Sequence, residues 1–103
     1  MFMVLKYGPS FWYYFGMSSY RVEIETSAAK QIQRLQRGEQ KRVMVAITAL
    51  ADEPRPHGCT KLSGTTDAYR IRVGNFRVVY VIDDGLHIVN VTRVGHRREV
   101  YKR

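Results

Sequence analysis

Arginine, histidine and tyrosine side chains are concentrated at close spacing in the last third of this sequence, where they could act on a phosphodiester. Arg70 and Arg72 are two residues apart in an alternating run, so they project from one face of a strand. Arg77 is the only charged residue in the apolar run that follows, and a hairpin turn at Gly74-Asn75 brings it near Arg72. The charged C-terminal tail adds three further candidates, His96, Arg97 and Tyr101.

This set of side chains suits cleavage of RNA by its own 2′-hydroxyl group. The reaction needs a base for the 2′-proton, cations for the phosphorane and an acid for the leaving 5′-oxygen. Arginine makes bidentate contacts to phosphate and stays charged, whereas histidine and tyrosine can carry protons and tyrosine can stack on a base. No metal is required, and the sequence has no Gly-rich phosphate loop and no HxxxH or CxxC spacing. The alternative is that these residues are ordinary solvated charges.

Two helices are predicted in the first half of the chain, after a strand over residues 20–25 in which apolar and charged residues alternate. Thr26-Ser27 offers an N-cap, and the first helix presents one apolar face before Gly38, where a C-terminal cap is expected. The second helix is predicted from Glu39 to Ala51, and the prolines that follow prevent it from continuing.

Three strands are predicted after the helices. Residues 68–73 alternate, residues 76–82 are almost wholly apolar, and residues 86–92 form a third run, with turn signals between them. From Arg93 onward the tail is too charged to belong to the core. The order is therefore β-α-α-β-β-β, which predicts a compact α+β domain with a helical pair packed on a curled antiparallel sheet.

The first 18 residues differ in composition from the rest of the chain. They contain an aromatic cluster over residues 11–15. They lack the basic region and the cleavage site of a signal peptide, and no apolar run among them is long enough to span a bilayer. We therefore divide the chain into an N-terminal aromatic extension, residues 1–18, and one domain, residues 19–103. Because Met17 directly precedes the first patterned segment, the extension is either the product of a start assigned too early or an apolar arm that docks on the domain or on a second chain.

Length and charge narrow the class of protein. The chain has 103 residues, of which 45% are hydrophobic and 25% are charged, the balance of one small globular domain. Its 17 Lys and Arg residues against 9 Asp and Glu residues give a net charge of +8, which indicates a polyanion or an acidic protein as the partner. The single cysteine, Cys59, excludes an intrachain disulfide and a multi-thiolate metal site and fits a reducing cytoplasm.

Two segments resemble the RelE family of bacterial and archaeal toxins, within the RelE/ParE superfamily of toxin–antitoxin modules. They are residues 61–85, KLSGTTDAYRIRVGNFRVVYVIDDG, and residues 94–101, VGHRREVY. The resemblance covers residues 20–103 and implies a fold similar to that of microbial ribonucleases. It implies a cytoplasmic mRNA endoribonuclease, or mRNA interferase, that cuts mRNA in the ribosomal A site without a cofactor and inhibits translation. It also implies an acidic, partly disordered antitoxin as the partner, alongside mRNA and the ribosome, and no membrane.

The resemblance assigns roles to the candidate residues. Arg77 matches the phosphate-stabilising arginine of the family, Arg97 the tail arginine near the leaving oxygen, and Tyr101 the catalytic and stacking tyrosine. The best-known pattern has lysines in the YRIR pair, whereas the arginines here cannot lose a proton near neutral pH, so His96 or Tyr101 is expected to supply the base. We predict catalytic roles for Arg77, Arg97, Tyr101 and His96, and RNA contacts for Arg70, Arg72, Lys61, Arg98 and Lys102.

Two other functions are compatible with the same pattern. A ParE-type relative would block DNA gyrase without cleaving RNA, and a non-catalytic relative would only bind an antitoxin. ParE proteins share the fold but generally lack the arginine and tyrosine set, so Arg77, Arg97 and Tyr101 favour the nuclease.

Overall fold

The fold combines one β-sheet with two helices, and the computed structural model describes it for residues 2–5, 12–15, 20–64 and 67–96. For the first two of these ranges it describes the strand backbone alone. The strands are β1 (Phe2–Leu5), β2 (Trp12–Phe15), β3 (Arg21–Ile24), β4 (Thr60–Lys61), β5 (Ala68–Val73), β6 (Phe76–Asp83) and β7 (Ile88–His96). The helices, α1 (Thr26–Gln33) and α2 (Arg37–Ala49), lie between β3 and β4 in the sequence.

The described strands form one sheet in the order β1-β2-β3-β7-β6-β5-β4. The predicted α+β class, with a helical pair packed on a sheet, is confirmed, and β3, α1, α2, β5, β6 and β7 follow the predicted order. The sheet is mixed, however, and not wholly antiparallel as predicted, because β3 pairs with β7 in parallel. A parallel pair needs a long connection, and here the two helices and the intervening strands provide it.

Each helix covers the same face of the sheet with apolar side chains. α1 contributes Ala28 and Ile32, and α2 contributes Val43 and Ile47, all of them buried. The sheet supplies the rest of the core from β-branched residues and one tyrosine, namely Val22, Ile24, Ile71, Val78, Tyr80, Ile82, Val89, Val91 and Val94. Truncating one such side chain, as in Ile47→Ala, costs about 2–5 kcal/mol. The helical face therefore accounts for much of the stability of this small domain.

The helix boundaries differ from the predicted ones. Glu25, and not Thr26-Ser27, occupies the N-cap position of α1, and Gly38 lies in the first turn of α2 instead of ending α1. α1 ends without a glycine because Arg34 and Leu35 donate their backbone N–H groups to carbonyls three residues back, at 3.2 and 3.0 Å. Within the described part of the chain, neither helix is long and apolar enough to cross a membrane.

Strand β7 continues beyond its predicted end. The alternation of residue types predicts an end at Thr92 and a charged tail from Arg93 onward. β7 instead runs to His96 and buries Val94 in the core. The prediction was wrong here because the alternation is interrupted inside the strand and not at its end.

A β-bulge in β7 causes this interruption. Val79 pairs with Arg93, but its neighbour Tyr80 pairs with Val91, so Thr92 has no cross-strand partner. Because of the extra residue, the successive residues Thr92 and Arg93 both face outward. The residues beyond the bulge then return to regular pairing with β6.

Candidate functional site

The candidate arginines of β5 and β6 lie on the face of the sheet that α1 and α2 leave uncovered. Side chains alternate along a strand, and buried Ile71 and Val78, which pair with each other, face the helices. The arginines next to them therefore project from the other side. We call this side the open face and define it by Arg70, Arg72, Arg77, Val79 and Arg93.

The turn between β5 and β6 sets two of these arginines side by side. Gly74 has a φ of 60°, which glycine adopts without strain at the first central position of a two-residue hairpin. In the resulting register Val73 pairs with Phe76, and Arg72 pairs with Arg77. The predicted proximity of Arg72 and Arg77 is confirmed, since Cβ atoms of directly opposed residues lie about 5 Å apart.

Arg72 and Arg77 place like charges next to each other. Arg72 is exposed and Arg77 is half-buried. Like charges directly opposite each other destabilise a sheet, here by up to about 0.5 kcal/mol. An anion that binds across the pair reverses the sign of this interaction, and the planar forks of two arginines match the oxygen atoms of a phosphate group.

A second row of cations crosses the open face beside this pair. Val79 pairs with Arg70 on one side and with Arg93 on the other. Since neighbouring strands are about 5 Å apart, the two arginines flank Val79 at a backbone separation of about 10 Å. The row is displaced by two residues from the Arg72–Arg77 pair, or about 7 Å along the strands. The open face therefore presents four arginines in two rows.

Arg93 is the residue of this face that sequence reasoning missed. It follows Thr92 in a stretch that resembles the start of a charged tail. The signal that could have identified it is the Val-x-Val-x-x-Val spacing of residues 89–94, which is typical of a strand with one extra residue.

Two of the predicted site residues lie on the helix-covered side of the sheet. His96 pairs with Phe76, which packs against the core, and their rings meet edge to face with centroids 6.0 Å apart. Lys61 is exposed and pairs with Tyr69, which also packs against the core. The sheet therefore separates both residues from the open face, although His96 lies at the same end of the sheet as Arg77.

The remaining predicted residues belong to the tail. Arg97, Arg98, Tyr101 and Lys102 lie outside the described residues, and their roles stay predictions. His96, the last described residue of β7, lies one position beyond the residue that pairs with Arg77, so the tail begins near the Arg72–Arg77 pair.

A cluster of a different kind surrounds Arg55 at the opposite end of the sheet. Arg55 donates hydrogen bonds to the Asp84 carboxylate at 2.8 and 3.3 Å and to the Tyr69 hydroxyl at 3.1 Å. Its guanidinium carbon lies 5.2 Å from the centre of the Tyr69 ring. Tyr20 donates a hydrogen bond to the same carboxylate. We call Tyr20, Arg55, Tyr69 and Asp84 the Arg55 cluster.

Three members of the Arg55 cluster, Tyr20, Arg55 and Asp84, stabilise one another's ordinary charge states. The hydrogen bonds from Arg55 and from Tyr20 lower the pKa of Asp84 to about 2. The same contacts raise the pKa of Tyr20 and of Arg55, in each case chiefly through the hydrogen bond to Asp84. These groups therefore do not exchange protons near neutral pH. The Arg55 cluster joins loops and is a poor candidate for acid–base chemistry.

Tyr80 holds the loop that contains Pro54 and Arg55 from the core side. Its side chain is fully buried, and its hydroxyl donates a hydrogen bond to the Pro54 carbonyl at 2.8 Å. Its ring stacks on Tyr69 with centroids 6.1 Å apart, and burial raises the pKa of its hydroxyl. The loop is thus held both by the core and by the Arg55 cluster.

A cleft of about 340 Å³ opens between β3 and the two helices, and none of the predicted site residues lines it. Its walls are mainly apolar, with Ile24, Ile32 and Met44 among them. In residues 20–64 and 67–96, no group of three His, Cys, Asp or Glu side chains is placed to hold a metal ion. Arg37 and Lys41 also line the cleft, whereas the open face presents four arginines on three neighbouring strands, the larger set of cations for a phosphate backbone.

Known proteins share this architecture. Residues 22–101 match the family model described as the ParE toxin of the type II toxin–antitoxin system parDE. The chain is 31% identical over 84 residues to toxin RelE of Mycobacterium tuberculosis, which covers 81% of this chain and 87% of that protein.

Two solved structures extend the likeness to three dimensions. The fold is similar to a chain of the archaeal RelE–RelB complex from Pyrococcus horikoshii, with a TM-score of 0.71, 29% identity and coverage of 79% of this chain and 98% of that one. It is also similar to the isolated E. coli RelE toxin, with a TM-score of 0.67, 26% identity and coverage of 82% and 92%. The matched family region begins within β3, so β1 and β2 lie outside it.

Proposed function

This chain belongs to the RelE family of toxins of type II toxin–antitoxin systems, and on that premise we propose that it is an mRNA endoribonuclease. It cuts mRNA in the ribosomal A site, by attack of a 2′-hydroxyl on the adjacent phosphate, and so inhibits translation. The observation that carries the proposal is the Arg72–Arg77 pair on the open face, with a second row of cations beside it. An extended RNA backbone that crosses β5, β6 and β7 meets all four arginines.

The Arg72–Arg77 pair stabilises the transition state by its charge. Attack of the 2′-oxygen adds negative charge to the non-bridging oxygens of the scissile phosphate. Arg77, supported by Arg72, binds these oxygens more strongly in the phosphorane than in the substrate, and such differential binding is what lowers a barrier. Because the two cations are fixed opposite each other by the strand register, they need no rearrangement as the charge develops.

Proton transfer in this proposal belongs to residues near the end of β7. The arginines of the open face stay protonated and cannot act as the base. His96 packs on Phe76 and must leave that ring to reach the open face, so Tyr101 is our first candidate for the base, as well as for stacking on a nucleobase. Arg97 supports the leaving 5′-oxygen, and His96 is the second candidate for the base.

Other basic residues extend the RNA contact. Arg70, Arg98 and Lys102 bind the RNA backbone beyond the scissile phosphate. Lys61 lies on the other side of the edge strand β4, so it contributes through its electrostatic field and not through a contact on the open face.

An acidic antitoxin is the proposed protein partner. The chain carries a net charge of +8, and the Pyrococcus horikoshii relative was solved as a complex of RelE with RelB. An acidic segment laid across the open face neutralises the Arg72–Arg77 pair and excludes mRNA from it. Toxin, antitoxin and ribosome then meet in the cytoplasm.

The proposed toxin domain spans residues 19–103. Residues 1–18 form an extension whose strand β2 pairs with β3, Trp12 opposite Ile24 and Phe15 opposite Arg21. The extension is thus proposed as an arm that joins the sheet at the edge of β3, away from the open-face arginines of β5 and β6.

Cleavage mapping tests the nuclease. The purified protein is added to an mRNA on programmed ribosomes and to the same mRNA without ribosomes, and primer extension locates the cuts. We expect cuts in the A-site codon of the ribosomal sample alone. Arg77→Ala is the test variant, and Arg34→Ala, at an exposed position after α1, is the control with the same net charge.

The outcomes of this experiment test the assignment of Arg77 to the site and the nuclease activity separately. Cleavage by Arg77→Ala at the wild-type rate would contradict the site, whereas an absence of wild-type cuts in both samples would contradict the nuclease.

Gyrase inhibition is the second candidate, because the matching family model describes ParE toxins. A supercoiling assay with purified DNA gyrase distinguishes the two activities. Inhibited supercoiling together with uncut mRNA would favour the gyrase inhibitor. Antitoxin binding with neither activity would indicate a non-catalytic relative.

A further inference from the structure

We propose that Arg70, Val79 and Arg93 form a second phosphate subsite on the open face, next to the scissile phosphate held by Arg72 and Arg77. The inference rests on the proposed function, since its ligand is the same single-stranded RNA. It adds one residue, Arg93, to the RNA contacts and assigns Arg70 to a particular phosphate.

The β-bulge at Thr92 places Arg93 in this subsite. Val89 and Val91 face the helices and are fully buried, so with regular alternation the next odd-numbered residue, Arg93, would also point into the core. The extra residue reverses this, and Arg93 is exposed while Val94 is buried. Bulges are frequent beside functional sites, where they change the direction of a side chain. Here the bulge turns a charge outward at the centre of the open face.

A hydrogen bond connects the bulge to the strand between the two arginines. The Thr92 hydroxyl donates to the carbonyl of Val79 at 3.3 Å, the residue that pairs with both Arg70 and Arg93. The position of Arg93 relative to Arg70 is therefore set by the pairing of three strands and not by a loop. A rigid support of this kind is what a binding site needs to hold two cations at a fixed spacing.

The spacing of the two arginines suits one phosphate group. Their backbones lie about 10 Å apart across Val79, and arginine side chains are long enough for both guanidinium groups to converge above it. Each guanidinium can contact two phosphate oxygens, while the half-buried Val79 offers an apolar surface beneath. Because the row lies about 7 Å from the Arg72–Arg77 pair, the two subsites fit consecutive phosphates of an extended strand.

Binding of an uncleavable RNA tests Arg93 directly. A fluorescent oligoribonucleotide whose 2′-hydroxyl groups are methylated has no attacking hydroxyl, and anisotropy gives its affinity over a range of salt concentrations. We expect Arg93→Ala to weaken binding about five- to tenfold. The slope of log affinity against log salt should fall by at most about 0.7, the value for one whole phosphate contact on a single strand, because Arg70 still contacts the same phosphate. Arg34→Ala, with the same change in net charge, should leave the slope unchanged.

Neutral methylphosphonate linkages locate the contacted phosphate. Each linkage of the oligonucleotide is replaced in turn, and wild type, Arg70→Ala, Arg93→Ala and Arg72→Ala are compared. The linkage whose replacement weakens wild-type binding more than it weakens Arg93→Ala binding is the one that Arg93 contacts, since Arg70 still contacts that phosphate in the variant. We expect Arg70→Ala to identify the same linkage, and Arg72→Ala to identify its neighbour.

The results that would contradict the subsite differ from those that would contradict the nuclease. Equal affinity and equal salt slope for Arg93→Ala and Arg34→Ala would overturn the subsite, whatever the cleavage result. Different linkages for Arg70 and Arg93 would also overturn it. RNA that is bound with the expected linkage pattern but never cut would overturn the nuclease and leave the subsite standing. A wild-type protein that does not bind the free oligonucleotide would overturn the subsite, whereas cleavage on programmed ribosomes would still decide the nuclease.

Discussion

Arg55 and Arg72 lie near opposite ends of β5, and the electrostatic surroundings of their charges are opposite. Arg55 faces the carboxylate of Asp84 and the ring of Tyr69, whereas Arg72 lies directly opposite another arginine, Arg77. The first arrangement favours the folded state, although modestly, because the Arg55 and Asp84 side chains are 42% and 55% exposed. The second arrangement opposes folding.

The comparison distinguishes charges that stabilise the fold, such as that of Arg55, from charges that the sheet presents to a ligand, such as that of Arg72. At the Arg55 end, partners within the chain complete the electrostatics. At the Arg72–Arg77 end, the register of a hairpin sets two cations opposite each other, an arrangement that suits an anion as ligand. The two ends therefore should respond differently to mutation, and each prediction below tests that contrast.

The largest expected effect is the loss of cleavage in Arg77→Ala. Removal of one charge-stabilising donor lowers a rate by about 100-fold or more, while the melting temperature should change little because the Arg77 side chain is not part of the hydrophobic core. Cleavage rates on programmed ribosomes and thermal unfolding measure the two effects. Arg55→Ala should show the reverse pattern, with normal cleavage and a lower melting temperature. A similar loss of cleavage in Arg77→Ala and Arg55→Ala would show that the two ends of the sheet do not differ in this way.

Tyr80→Phe should give the next largest effect, on stability alone. The variant deletes the hydrogen bond to Pro54 and leaves a buried carbonyl without its donor, a change that costs about 1–2 kcal/mol. Urea unfolding measures the free energy, and RNA affinity serves as the readout that should not move. Tyr69→Phe, which keeps the stacked ring but loses the hydroxyl contacted by Arg55, should cost less. A drop in RNA affinity in Tyr80→Phe would mean that the two ends are coupled.

Arg72→Gln should stabilise the fold slightly while it weakens RNA binding. The substitution removes one of two opposed like charges, and a gain of up to about 0.5 kcal/mol is expected from a cross-strand pair. Chemical denaturation at low salt, where surface charges are least screened, gives the best chance to measure it. If Arg72→Gln lowered the stability, the pair would have to be counted among the supporting charges, as Arg55 is.

The smallest expected effect is the pH dependence that Asp84 confers. Its pKa is about 2 in the folded protein and near its ordinary value when unfolded, so its stabilising contribution is complete above the unfolded pKa and disappears as the pH falls towards 2. The difference in melting temperature between wild type and Asp84→Asn should therefore be constant near neutral pH and decrease below about pH 4. A difference that grows on acidification would contradict the assignment.

The hairpin of the open face could be predicted because its determinants are local. Strict alternation over residues 68–73 and a glycine at the turn are enough to place Arg72 opposite Arg77. The position of Arg93 could not be predicted in the same way, because the bulge is defined by the partner strand β6 and not by the residues of β7 alone. Two successive polar residues look the same whether a strand ends or bulges.

Contacts distant in sequence also decided the details that were mispredicted. The third strand is predicted from residue 86, but β7 begins at Ile88 because the turn extends to His87, which has a φ of 57° and a ring stacked on Tyr20 with centroids 5.0 Å apart. Gly38 was expected to end a helix but begins the next one. The parallel pairing of β3 with β7 joins residues more than sixty positions apart, so no pattern within either strand predicts its direction.

That parallel pair has a consequence for how the protein is made. β3 is synthesised early in the domain, but the strand beside it, β7, is synthesised last among the described elements. A nascent chain that lacks β7 also lacks Val89, Val91 and Val94 of the core and the strand that pairs with Arg77. Pairings of such long sequence separation form late in folding. A chain still attached to its ribosome before β7 emerges therefore lacks part of its core and one of the three strands of the open face, and this face is complete only after β7 has been made.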